Sequence, residues 1–138
     1  MNSGKRINCL ILLASYIAIW ILYLLLRIYS VSSIVEPKLY PDSKTYLEIS
    51  ISPITSSEFW NAGTPIITPL MYKLFAGDLQ GIAIFQNTFS VFSWSVLAIA
   101  VAGLSQFDWM KIINFSLVLI FSLSAEILLW DWVILSES

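Results

Sequence analysis

The feature that most constrains this chain is an apolar run over residues 7–28 in which Arg27, near its end, is the only charge. A helix of about 20 apolar residues covers the hydrocarbon core of a bilayer, so the run is long enough to cross. A cleaved signal sequence is the alternative, since Lys5 and Arg6 make a basic start and Ser30-Val31-Ser32 offers small residues. The apolar part of such a signal is usually only about 7–15 residues, and the greater length here favours a retained span. Two further segments follow. Residues 82–104 carry no charge and place Gln86 and Asn87 near their start, at the interface or within reach of a neighbouring helix. Residues 112–130 contain Glu126, which in a helix would lie about 20 Å along the axis from Ile112, toward the far end. Trp109 at one end and Trp130 and Trp132 at the other resemble the aromatic belts of the two membrane–water interfaces.

Composition agrees: 58% of the 138 residues are hydrophobic and 12% charged, against roughly one-half and one-quarter in soluble domains. The expected fold is an all-α integral membrane protein, a single membrane region over residues 1–138. It has about three transmembrane helices (7–28, 82–104 and 112–130) and short interfacial helices in a first outer loop, 31–81. The bilayer is its first partner. Lys5, Arg6 and Lys111 lie closest to the span ends and belong on the cytoplasmic side, giving a multi-pass protein of the cell membrane with its N-terminus inside.

The loop keeps Tyr40, Tyr46, Phe59, Trp60 and Tyr72 among many aliphatics, a composition that packs rather than stays disordered. Pro41-Asp42-Ser43 opens one helix through Tyr46, Leu47 and Ile49, closed by Pro53. Thr68-Pro69 reads as the cap and first residue of a second helix, with Leu70, Met71, Leu74 and Phe75 apolar and Gly77 its stop. Both read as interfacial helices, apolar side down, with lysines free to reach lipid phosphates.

Several chemistries are excluded. The chain has no histidine and one cysteine, Cys9, which removes disulfide frameworks, the common zinc sites and Ser–His or Cys–His nucleophiles. Seven scattered Lys and Arg residues at net charge −2 give no basic stripe for nucleic acid. Carboxylates, lysines, arginines and the backbone remain. Asp42 reads first as a helix-start residue, and Glu126 as an interhelical or snorkelling group, although an intramembrane carboxylate is a functional candidate by default.

The first span, the loop segments PDSKTYLEIS and WNAGTPIITPLMYKLF, and a second span containing FQNTFSVFSWSVLA together resemble the N-terminal part of the GT-C glycosyltransferases. These are membrane enzymes that use polyprenyl-phosphate-linked sugars, the dolichyl-phosphate-mannose mannosyltransferase-like proteins among them. The closing WDWVILSES resembles the approach to their next outer loop. The resemblance implies a polyprenyl-phosphate-sugar donor, an acceptor outside the cytoplasm, and Asp42 as the catalytic base that deprotonates it. Proton removal is needed as the carbon–oxygen bond forms, and the lipid phosphate leaves with help from positive charge. Lys73, in the PLMYK stretch, is the candidate phosphate contact, and Glu137 the candidate second acid of the substrate site. The family often has an arginine before the proline that follows the AG pair, whereas Ala62-Gly63-Thr64-Pro65 has threonine. No cofactor is implied by the residues, and a divalent metal is left open.

Because Ser136-Glu137-Ser138 follows directly on the last apolar segment, the expectation is a truncated reading frame whose remaining spans complete the enzyme. The alternative is a small three-span accessory or structural subunit without catalysis, with Phe59 and Trp60 as anchors for a protein partner. Lipid binding or transport without chemistry is a third reading that the sequence does not separate from the first, although it lacks the paired broken helices of transporters.

Overall fold

The computed structural model describes residues 3–32, 37–39, 41–61, 63 and 65–133, with backbone alone at 3–9, 31–32 and 41–42. Among these residues the chain is helical throughout: α1 (Ser3–Ser32), α2 (Pro41–Ile51), α3 (Ser57–Trp60), α4 (Ile67–Leu74), α5 (Leu79–Gly103), α6 (Asp108–Phe121) and α7 (Ala125–Trp130). They form two compact units, Met1–Ile34 with Phe89–Leu128, and Val35–Thr88 with Leu129–Ser138.

In the first unit α1 and the later turns of α5 run antiparallel. Trp20 Nε1 donates to Ser95 Oγ at 2.9 Å and, further along α1, Arg27 Nη2 donates to Ser90 Oγ at 3.0 Å. Buried Ala98 and Ala102 let the backbones approach, and Tyr23, Phe115 and Leu119 fill the space between α1, α5 and α6. Tyr16 meets Phe115 edge to face with ring centroids 4.7 Å apart. Hydroxyls are satisfied inside their own helices: Ser15, Ser30, Thr88, Ser95 and Ser116 each donate to the carbonyl four residues earlier. Such back-bonding is what a polar side chain needs where no water can reach it.

Among the described residues two helices are long and apolar enough to cross a membrane, within Leu10–Ser30 and Leu79–Gly103. Only 11% and 17% of their apolar windows are buried. A core helix of a soluble protein would be mostly buried, so this packing leaves the apolar surfaces of α1 and α5 without a protein cover. Leu10, Leu13, Leu25 and Ile28 of α1, and Phe89, Phe92 and Ile99 of α5, are all more than half exposed.

The third expected span differs. Residues 112–130 form two helices, and α6, with 14 residues, covers only about 21 Å of a hydrocarbon core about 30 Å thick. The break has a local cause. Leu123 and Ser124 donate to carbonyls three residues back, at Ile120 and Phe121, so the last turn tightens. The Ser122 hydroxyl takes the Leu119 carbonyl at 2.7 Å. Leu128 N–H then returns to the Ser124 carbonyl and α7 begins, with Glu126 in its first turn.

The second unit packs α2 against α4 around Tyr46, Tyr72 and Ile82, the last from the first turns of α5. α2 begins with Pro41, whose fixed φ and missing N–H suit a first helical position, and ends at Ile51, ahead of Pro53 as its sequence predicts. α4 starts earlier than Thr68-Pro69 suggests: Ile66 is its cap residue and Pro69 falls at the third helical position. The missing N–H costs nothing there, because the first four amides of a helix have no intrahelical partner. Past α4, Ala76 and Gly77 adopt positive φ (49° and 85°) and turn the chain toward α5. Asp78 then caps α5, its Oδ1 accepting from Gln80 N–H at 3.1 Å. α3, which the loop sequence did not suggest, is a single turn capped by the Ser56 hydroxyl on Phe59 N–H. Lys38 and Val133 form an isolated parallel bridge, Lys38 N–H donating to the Trp132 carbonyl at 3.1 Å.

Candidate functional site

Asp42 stands in the first turn of α2, and its side chain lies outside the described residues, as does the whole of Glu137. Next to Asp42, Ser43 is fully buried, so this end of α2 is seated firmly in the second unit.

Lys73 occupies the other end of α2. Its ammonium donates to the Ser50 carbonyl at 3.0 Å and the Ser52 carbonyl at 2.7 Å, and lies 5.8 Å above the Phe59 ring. These are carbonyls of the last helical turn and of the residue beyond it, which lack intrahelical donors and sit at the negative end of the helix dipole. Lysine supplies both what the helix end lacks and a cation for the buried Phe59 face. Asp42 and Ser50 are separated by eight residues of α2, about 12 Å along the axis. The structure therefore sets Asp42 and Lys73 at opposite ends of one helix and does not bring them together. Two of the three ammonium protons are used by these carbonyls. Lys73 also lines a cavity of about 280 Å³, together with Ser50, Ile51, Ala76 and Gly77.

The expectation of lysines freely reaching lipid phosphates is thus met differently: Lys73 is tied into the α2–α4 joint. The outward side of α4 is instead wholly apolar, with Ile67, Leu70 and Leu74 exposed at helical spacing.

Tyr72, 2% exposed between α2 and α5, has its phenol pushed up to about 12 by burial and by the neighbouring Tyr46 hydroxyl, against a hydrogen bond with Gln86. It is a neutral hydrogen-bonding group at any physiological pH and not a base. Gln86 thereby bonds a neighbouring helix, one of the two roles its sequence position suggested. Its Oε1 and the Oδ1 of Asn87 are buried without a partner among the described residues.

Sequence reasoning undervalued Arg27. It is 1% exposed, and its Nε donates to the Tyr23 hydroxyl at 3.3 Å in addition to the Ser90 contact. Two signals pointed to it: a charge inside an apolar run, and Tyr23 four residues earlier on the same helix face. Glu126, for its part, is exposed in the first turn of a short helix, where a negative charge meets the positive dipole end. No group of three or more metal-ligating side chains occurs among the described residues. No family model, characterised protein or solved structure matches the chain.

Proposed function

We propose that the chain is an integral membrane protein that takes part in GT-C-type glycosyl transfer from a polyprenyl-phosphate carrier to an acceptor outside the cytoplasm. α1 and α5 cross the bilayer, the N-terminus and the α5–α6 connection face the cytoplasm with Lys5, Arg6 and Lys111, and the α2–α4 unit lies on the opposite side. The observation that carries the reading is the placement of Asp42, the residue matching the family's base, on the opening turn of a helix fixed by α4 in the segment between two span-length helices. In this reading Asp42 takes the acceptor proton. Lys73 holds the helix that carries Asp42, and Glu137 is the second acid of the substrate site.

The test is transfer of radiolabelled mannose from polyprenyl-phosphate-mannose in membranes containing the full chain, compared with Asp42→Asn. Asparagine is nearly isosteric, and losing one first-turn charge costs a helix about 0.3–1 kcal/mol, so the variant stays folded while transfer disappears. Undiminished transfer by Asp42→Asn removes the base from the mechanism.

The commitment of Lys73 to two backbone carbonyls favours a second reading, an accessory subunit without catalysis, because the phosphate contact is then unassigned. Trp60, half exposed beside buried Phe59, would be its anchor. That reading requires a partner at fixed stoichiometry after mild detergent extraction, and a lone monomer refutes it.

A further inference from the structure

The first unit contains an apolar groove of about 640 Å³ between α1, α5 and α6, within the range of small-ligand sites. Leu13, Trp20, Ile99, Gly103 and Phe115 are among its lining residues, and Lys111 is the one charged side chain lining it among the described residues. The lysine lies at the end formed by the start of α1 and the α5–α6 connection. Residues 1–12 and 100–115 carry three basic side chains, Lys5, Arg6 and Lys111, against one acid, Asp108.

We propose that this groove holds one hydrocarbon chain of an anionic phospholipid, with the headgroup phosphate at Lys111. The inference rests on the membrane reading above and does not involve Asp42. Shape and lining argue for a lipid chain: from Leu12 to Trp20 the groove runs along eight residues of α1, about 12 Å, lined almost entirely by apolar side chains. Charge argues for an anionic headgroup, since this end of the unit is net positive. Lys111 already pairs with Asp108 at 2.8 Å, but that aspartate is 61% exposed. An exposed pair of this kind holds its ammonium weakly, and two ammonium protons remain for phosphate oxygens.

Gly103 provides a clean perturbation. Gly103 lines the groove and a Cβ placed there meets nothing within 4 Å, so Gly103→Leu adds bulk to the lining without a clash and suits a helix better than glycine does. The full chain is reconstituted in nanodiscs of phosphatidylcholine doped with nitroxide-labelled phosphatidylglycerol or, separately, nitroxide-labelled phosphatidylcholine, and the motionally restricted spin signal is measured. Phosphatidylglycerol is expected to be restricted about fivefold more than phosphatidylcholine, the preference that one basic residue confers. Lys111→Gln brings that ratio to about one, and Gly103→Leu lowers the restricted signal of both lipids. Equal restriction of the two lipids by the wild type, or an unchanged signal in Gly103→Leu, overturns the proposal. So does a dimer that Gly103→Leu dissociates, since a second copy then covers the groove. A chain that alkaline carbonate strips from membranes overturns the membrane reading and this inference together, whereas an integrated chain without anionic preference overturns this inference alone.

Discussion

Replacing Lys73 with methionine separates its two candidate roles, because they predict opposite effects on the fold. Methionine keeps most of the length and apolar stem but cannot donate to the Ser50 and Ser52 carbonyls at 3.0 and 2.7 Å. Hydrogen bonds from a charged group contribute about 1.5–3 kcal/mol when well formed, and because one partly exposed ammonium makes both, the pair together is set at about that value of a single bond. Losing the cation over Phe59 removes a further ~0.5–1 kcal/mol. A total loss of about 2–4 kcal/mol follows, concentrated where α2 ends and α3 begins. Hydrogen exchange read by mass spectrometry is the suitable assay, since it reports on this segment separately from the long apolar helices. Peptides covering residues 47–60 should exchange some 30-fold faster or more, the lower bound corresponding to ~2 kcal/mol. Lys73→Arg should retain most of the protection. If Lys73 served mainly as a phosphate ligand, its ammonium would be held against its own preference, and Lys73→Met would leave exchange unchanged while weakening polyprenyl-phosphate binding. That result would refute the anchoring argument.

Other perturbations follow from the same geometry. Gly81→Ala should destabilise the start of α5 in spite of alanine's helix preference, because the new Cβ would lie 2.7 Å from Asp78 Oδ2 and 3.2 Å from Phe75 Cδ1. Displacing Asp78 from its cap costs about 1 kcal/mol, so Gly81→Ala and Asp78→Ala should give similar, non-additive losses in thermal melts. Tyr72 sets a pH limit: its phenol titrates near 12 in the fold and near 10 when unfolded, so the native state holds the extra proton between those values. Its stabilising contribution is complete below pH 10 and is lost as pH rises to 12, by about 2–3 kcal/mol. Alkaline unfolding of Tyr72→Phe should lack that slope. On α4, Leu74→Glu places a charge at an 80% exposed position of an apolar stripe. It should leave the fold intact and reduce quenching of nearby tryptophans by brominated lipids; unchanged quenching would show that α4 faces water.

The helical class and the two long apolar helices were legible because apolar length is a signal that survives without neighbours. Residues 7–28 and 82–104 were placed within a few residues of α1 and α5. The division of 112–130 was not, since its cause is a pair of serines, Ser122 and Ser124, whose hydroxyl and amide bonds compete with helix continuation only in the geometry reached there. At the candidate site the sequence located α2 and α4 but did not reveal the carbonyls that Lys73 bonds. A lysine on an amphipathic helix reads as a snorkelling group, and nothing local reveals that a second helix ends beneath it. The partner carbonyls lie 21 and 23 residues away in the chain.

The broken third segment changes what Glu126 means. Within one continuous helix it would be a carboxylate inside the bilayer, costly and therefore suspect as a functional group. In the structure it is exposed in the first turn of α7, after a helix that covers only about 21 Å. A negative charge at a helix start has its own reason to be there. The buried charge of the first unit is instead Arg27, 1% exposed and joined to Tyr23 and Ser90. An arginine so placed costs several kcal/mol to desolvate, and hydrogen bonds from two helices offset that cost only while α1 and α5 remain in this register. Arg27 thus acts as a register lock between α1 and α5. Sliding α1 by one residue along α5 would separate Arg27 from Ser90 and Trp20 from Ser95 together, while the aliphatic contacts around them could re-form in a neighbouring register. The specificity of this helix pair therefore resides in two polar contacts, and its bulk affinity in the alanine-lined seam between them.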